Sequence, residues 1–158
     1  MAFECTRCVT PVVISVWELP MSDRICSYRL PAEAASVPEA RGKVRALLVE
    51  WNLQHLADDA CLVVSELMTN AIRHTGRTED GHLELTAGQG DHDRFFVEVA
   101  DGCTGTLPQQ RSPGPDDSGG RGLLLVQRLS DDWGVRTCGT GKVVWAQLRT
   151  SGGGAPAC

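Results

Sequence analysis

The stretch from Ala57 to His74 places the tightest constraint on the fold. Ala60, Val63, Val64, Leu67, Met68 and Ala71 recur at helical spacing, which predicts a helix with one buried face. Asp58 and Asp59 suit the positive N-terminal end of that helix, and Gly76 offers a stop. Glu66 and Asn70 lie one helical turn apart, so they share a second, polar face that Arg73 and His74 continue. For a single amphipathic helix, such a face is by default a solvated surface.

The rest of the chain supplies partners for the buried stripe. Ser36-Val37-Pro38-Glu39 reads as a capping box opening an earlier helix, with Val44, Leu47 and Leu48 as its apolar stripe through about Leu53. Alternation predicts strands at Arg24 to Leu30, His82 to Ala87 and Arg94 to Ala100, with a hairpin connection from Gly88 to Asp93. Two further strands, Trp133 to Cys138 and Lys142 to Leu148, follow a short apolar helix at Gly122 to Leu129. The order strand, helix, helix, strand, strand, helix, strand, strand points to an α/β (α+β) two-layer sandwich. Its sheet is expected to be mixed and mostly antiparallel, with the helices on one face. Residues 24–149 form the expected domain, residues 1–23 an N-terminal extension, and residues 150–158 a flexible tail.

Bulk properties remove several functions. With 158 residues the chain fits one domain with a hydrophobic core. Its net charge is −5 and its basic residues are scattered, which argues against a direct nucleic-acid partner. The apolar run from Val9 to Trp17 is too short to span a bilayer and lacks a basic approach, so a cytoplasmic location is expected. Seven irregularly spaced cysteines do not form a secreted disulfide framework, and the lone Cys5/Cys8 pair lacks the second ligand pair of a zinc site.

Two further segments carry candidate chemistry. Asp101 ends an apolar strand and is followed by Gly102 and Gly105; a carboxylate there can accept a hydrogen bond from an adenine amino group, although Asp-Gly is also a common turn signal. The glycine-rich run from Gly102 to Ser118 has little to bury, and its length favours a lid over a simple turn. Gly119-Gly120-Arg121-Gly122-Leu123 opens the third helix, where free N–H groups favour phosphate. Neither a Walker loop nor a dinucleotide fingerprint is present.

Taken in order, Glu66-Leu-Met-Thr-Asn70-Ala, Asp101-Gly-Cys-Thr-Gly105 and Gly120-Arg-Gly122-Leu closely resemble the three boxes of the GHKL-type (histidine-kinase-like) ATPases. The likeness runs from about Leu30 to Leu148. The run from Val64 to His74 and the ending Gly141-Lys-Val-Val-Trp145 are similar to the bacterial anti-sigma factor serine/threonine kinases of that superfamily.

The resemblance implies a set of roles. ATP and Mg²⁺ would be the cofactors, with Asn70 coordinating the metal and Glu66 acting as general base on a serine hydroxyl. Asp101 would read adenine, Gly105 would belong to the lid, and Gly119, Gly120, Gly122 and Leu123 would cradle phosphate. Arg121 would offset charge there. His74 would reach a phosphate or serve as a structural histidine. The partners would be a sigma factor and an anti-anti-sigma antagonist, and the chain would form a homodimer. In one respect the sequence departs from the pattern: Cys103 replaces the first glycine of the second box. Two functions stay open, a serine/threonine kinase and a nucleotide-sensing, partner-binding module without turnover.

Overall fold

The computed structural model describes residues 24–74, 81–90, 93–101, 118–138 and 141–151. The elements are β1 (Ile25–Pro31), α1 (Ser36–Glu50), a single 3₁₀ turn at Gln54–Leu56, α2 (Ala57–His74), β2 (His82–Gly90), β3 (Arg94–Asp101), α3 (Ser118–Leu129), β4 (Asp132–Cys138) and β5 (Gly141–Arg149). The extension, the tail beyond residue 151, Cys5, Cys8, Cys103, Gly105, Gly76 and nearly all of the expected lid lie outside the described residues.

The strands form one sheet in the order β1-β2-β3-β5-β4. All four pairings are antiparallel, so the described sheet contains no parallel pair, where the sequence pattern allows a mixed one. Leu85 stands opposite Val99, and Val99 opposite Val144, which lines up one apolar row across three strands. That inner face packs with Ala40, Val44, Leu47 and Leu48 of α1, the predicted stripe of α2, and Val126 of α3 in one core. The two-layer α+β architecture read from the sequence is thus the one observed.

Two boundaries differ from expectation for identifiable reasons. Ser36 does not cap α1: Ala35 occupies the cap position, no side chain caps the helix, and Ser36 is buried within the first turn. At its other end α1 stops at Glu50 rather than near Leu53. Asn52 adopts a left-handed conformation with φ 59°. The Asn52 N–H donates to the Val49 carbonyl at 3.1 Å, and the Leu53 N–H donates to the Leu48 carbonyl at 2.7 Å. This pair of bonds is a Schellman closure, with Asn in the place usually taken by Gly and Leu53 folding back into the core beside Leu48.

Helix α3 begins at Ser118, four residues before the expected start at Gly122. Gly119 and Gly120 therefore lie in its first turn. Gly122, Val126 and Leu129 fall at helical spacing along α3; Val126 is fully buried, and Leu129 packs against the core.

Candidate functional site

Helix α2 packs against both α3 and β3, so the elements that carry the polar candidate positions are in contact. Glu66 and Asn70 are half-buried on α2. The Asn70 Nδ2 is buried with no hydrogen-bond partner among the described residues. Leaving a buried polar atom unpaired costs about 1–3 kcal/mol, so each such atom calls for an explanation.

Glu66 has a specific neighbour. A Cβ placed on Gly122 would fall on its Oε2 and lie 3.3 Å from its Cδ. Gly122 is therefore the position at which α3 comes close enough to α2 for the carboxylate to occupy the space of a side chain. The carboxylate also sits near the N-terminal turns of α3, where the helix dipole favours negative charge.

Asp101 is the last residue of β3 and faces the helices, in line with buried Val97 and Val99. Its side chain is 1% exposed, and Oδ2 lies 3.3 Å from Nζ of Lys142, itself 5% exposed. The two residues are direct cross-strand partners. The other oxygen, Oδ1, is buried without a partner among the described residues.

Of the other expected site residues, Gly119, Gly120 and Arg121 contribute backbone to the first turns of α3, and Leu123 is half-buried one residue beyond Gly122. His74 closes α2, but its side chain, like Gly105, lies outside the described residues. The structure thus gathers Glu66, Asn70, Gly122 and Asp101 on elements that pack together. It adds Lys142, which the sequence reading did not single out as a site residue. A signal for it exists: strict alternation places Lys142 on the same face as Val144, Ala146 and Leu148, and a lysine on a buried face demands a partner.

No group of three or more His, Cys, Asp or Glu residues suited to a metal occurs among the described residues. Mg²⁺ needs no such cluster, since one or two protein ligands can hold it together with the phosphates of a bound molecule. The unpaired amide of Asn70 fits that role, since turning it by half a revolution exchanges nitrogen for oxygen. The unpaired, acceptor-only Asp101 Oδ1 fits a ligand that offers a donor. No described helix is long and apolar enough to cross a membrane.

A five-stranded antiparallel sheet, three helices against it and unpaired buried polar atoms on α2 and β3 fit an α+β domain of the histidine-kinase-like type. Residues 30–148 match the family model described as a histidine kinase-like ATPase domain, and the chain belongs to that family. No curated protein matches it in sequence. Among solved structures it is similar to the RsbU and RsbW domains of Rv1364c from Mycobacterium tuberculosis, with a TM-score of 0.61 and 17% identity. The likeness covers 79% of this chain but only 32% of that one, and at this identity it concerns the fold alone.

Proposed function

We propose that the chain is an ATP-binding cytoplasmic regulator, an anti-sigma factor that transfers phosphate to a serine of an anti-anti-sigma antagonist. The observation that carries the nucleotide part is the pair of buried, unpaired polar atoms, Asn70 Nδ2 and Asp101 Oδ1, on elements that pack together. A folded domain gains nothing by leaving both positions unpaired, whereas a donor on a nucleotide would pair Asp101 Oδ1, and a metal at its phosphates would pair Asn70 once the amide turns its oxygen to that position. The regulatory part rests on the resemblance of residues 64–74 and 141–145 to anti-sigma kinases.

In this reading Asp101 accepts from the adenine amino group, and Asn70 holds Mg²⁺ through its amide oxygen. The N-terminal turn of α3, with Gly119 and Gly120, presents free backbone N–H groups to phosphate, Arg121 offsets charge beside them, and Gly122 and Leu123 lie just inside the helix. When bound, Mg²⁺ neutralises charge on the phosphates. Glu66, one helical turn from Asn70, takes the proton of the attacking serine hydroxyl as the serine oxygen bonds to the γ-phosphorus and the bond from that phosphorus to its bridging oxygen breaks, with ADP as the leaving group. His74 and Gly105 remain assigned to the nucleotide site by resemblance, and a homodimer is the proposed assembly.

One feature favours a second reading: Cys103 replaces the first glycine of the second box, and Glu66 is then a structural helix residue. In that case the chain senses ATP and changes its grip on a partner without turnover.

Calorimetric titration of Mg-ATP into the wild type and into Asn70→Ala tests the core of the proposal. Binding that is lost in the variant supports it. A folded wild type that binds no nucleotide overturns both readings.

A further inference from the structure

Asp101 and Lys142 are the two charged residues that the described part of the chain buries. A buried ion pair kept for stability alone is best served by geometry that satisfies every lone pair and proton. This pair does not do so. The ammonium lies 3.3 Å from Oδ2, while Oδ1 on the same carboxylate has no partner among the described residues. The cation thus fixes which oxygen is spent within the protein and which is left over.

We infer that Lys142 is a positioning residue that sets the nucleobase specificity of the site, by pinning Asp101 so that a bare acceptor faces the 6-position of the purine. The inference rests on the adenine-reading role proposed above for Asp101. An ionised carboxylate oxygen only accepts hydrogen bonds. It therefore matches the 6-amino group of adenine and opposes the 6-oxo group of hypoxanthine or guanine. Without the ammonium the carboxylate can turn, and neither oxygen is reserved for the base. Lys142 need not touch the nucleotide to do this, because its effect passes through Asp101. Their cross-strand register, β3 against β5, sets the two residues side by side.

The orienting role makes an unusual demand on Asp101→Asn. The ammonium carries only donors and will hold the amide oxygen, which turns the amide –NH₂ towards the base. The acceptor becomes a donor, and the preferred purine changes from 6-amino to 6-oxo. Removing Lys142 as well releases the amide, and the reversed preference should collapse.

The experiment is calorimetric titration of Mg-ATP and of Mg-ITP, which differ at the 6-position, into four proteins. These are the wild type, Asp101→Asn, Lys142→Met and the double variant, each first shown to be folded by its circular dichroism melt. The wild type should favour ATP by about ten- to a hundredfold, the range for a buried hydrogen bond to a charged acceptor. Asp101→Asn should favour ITP, and the double variant should return towards parity. Lys142→Met should lower the ATP-to-ITP ratio mainly by weakening ATP. It carries the test alone should Asp101→Asn fail to fold. A merely structural lysine would weaken both nucleotides alike in Lys142→Met and leave their ratio unchanged. That result, or a folded Asp101→Asn that still favours ATP, overturns the inference while ATP binding by the wild type keeps the proposed function intact. A folded wild type that binds neither nucleotide removes the proposed function, and the inference with it.

Discussion

The carboxylate of Glu66 occupies the space that a side chain at position 122 would need, so Gly122 and Glu66 are matched across the α2–α3 contact. Gly122→Ala sets two effects against each other. Alanine in a helix interior is worth up to about 1 kcal/mol over glycine, while the new methyl displaces the end of a flexible glutamate, which is cheap. Stability should therefore change by less than about 1 kcal/mol, as read by urea denaturation. Phosphoryl transfer should fall by about tenfold or more, because the carboxylate has moved. A large loss of stability would show that Glu66 cannot yield; full activity would show that its position is irrelevant to the chemistry.

Glu66→Gln keeps the shape and removes the base. If Glu66 takes the serine proton, transfer from labelled ATP to a candidate antagonist should drop by about 10²–10⁴-fold. Mg-ATP affinity should stay close to that of the wild type, because the pairing of Asn70 and Asp101 with ligand is untouched. Equal transfer by both proteins would assign Glu66 a structural role. The absence of transfer by the wild type, with ATP binding intact, would favour the sensing module.

On the sheet's other face, Gly88 lies beneath the ring of Phe96, its direct cross-strand partner. A Cβ at position 88 would strike the ring at Cζ and lie 3.1 Å from the carbonyl oxygen of Arg24. Neither a stiff ring nor a backbone carbonyl yields easily, so Gly88→Ala should destabilise by about 1–3 kcal/mol, the usual cost of overpacking. The contrast with Gly122→Ala is that the obstacle there is the tip of a flexible chain. Adding Phe96→Leu should recover part of the loss, and a double-mutant cycle in urea reads that coupling. Strict additivity would locate the cost elsewhere.

How far the sequence reveals this molecule follows from which forces act locally. The period of α2 and the alternation in β2, β3 and β5 are visible because each element buries one face, and the burial pattern repeats along the chain. The end of α1 is hidden in the sequence because Asn52, not glycine, takes the left-handed position, and composition alone rarely signals that. Ser36 and Glu39 carry the capping signature, but Ser36 is buried and the cap falls at Ala35. The first turn of α3 is glycine-rich and gives no helical signal, and its packing against α2 favours a helix there. Glu66, Asn70 and Asp101 stood out through spacing and box order. Lys142 is legible only as a lysine on the buried face of β5; that its partner is Asp101 depends on a strand pairing that no local pattern specifies.

Phe95 offers a way to separate stability from ligand binding. It is fully buried and meets Trp51 edge to face, with ring centroids 6.3 Å apart and planes at 65°. Truncation to alanine removes that aromatic contact and opens a cavity, so Phe95→Ala should cost about 3–5 kcal/mol in urea denaturation. Phe95 lies near the opposite end of β3 from Asp101, about 20 Å away at roughly 3.4 Å per residue. The geometry of Asp101 and Lys142 should therefore survive wherever the variant remains folded. Its Mg-ATP dissociation constant, measured at low temperature and corrected for the unfolded fraction, should match that of the wild type. The same concentration of nucleotide should stabilise both proteins against urea unfolding by the same free energy. A specific loss of affinity in Phe95→Ala would mean that the two ends of β3 are coupled through the core, and that the nucleotide site depends on packing far from the residues that touch it.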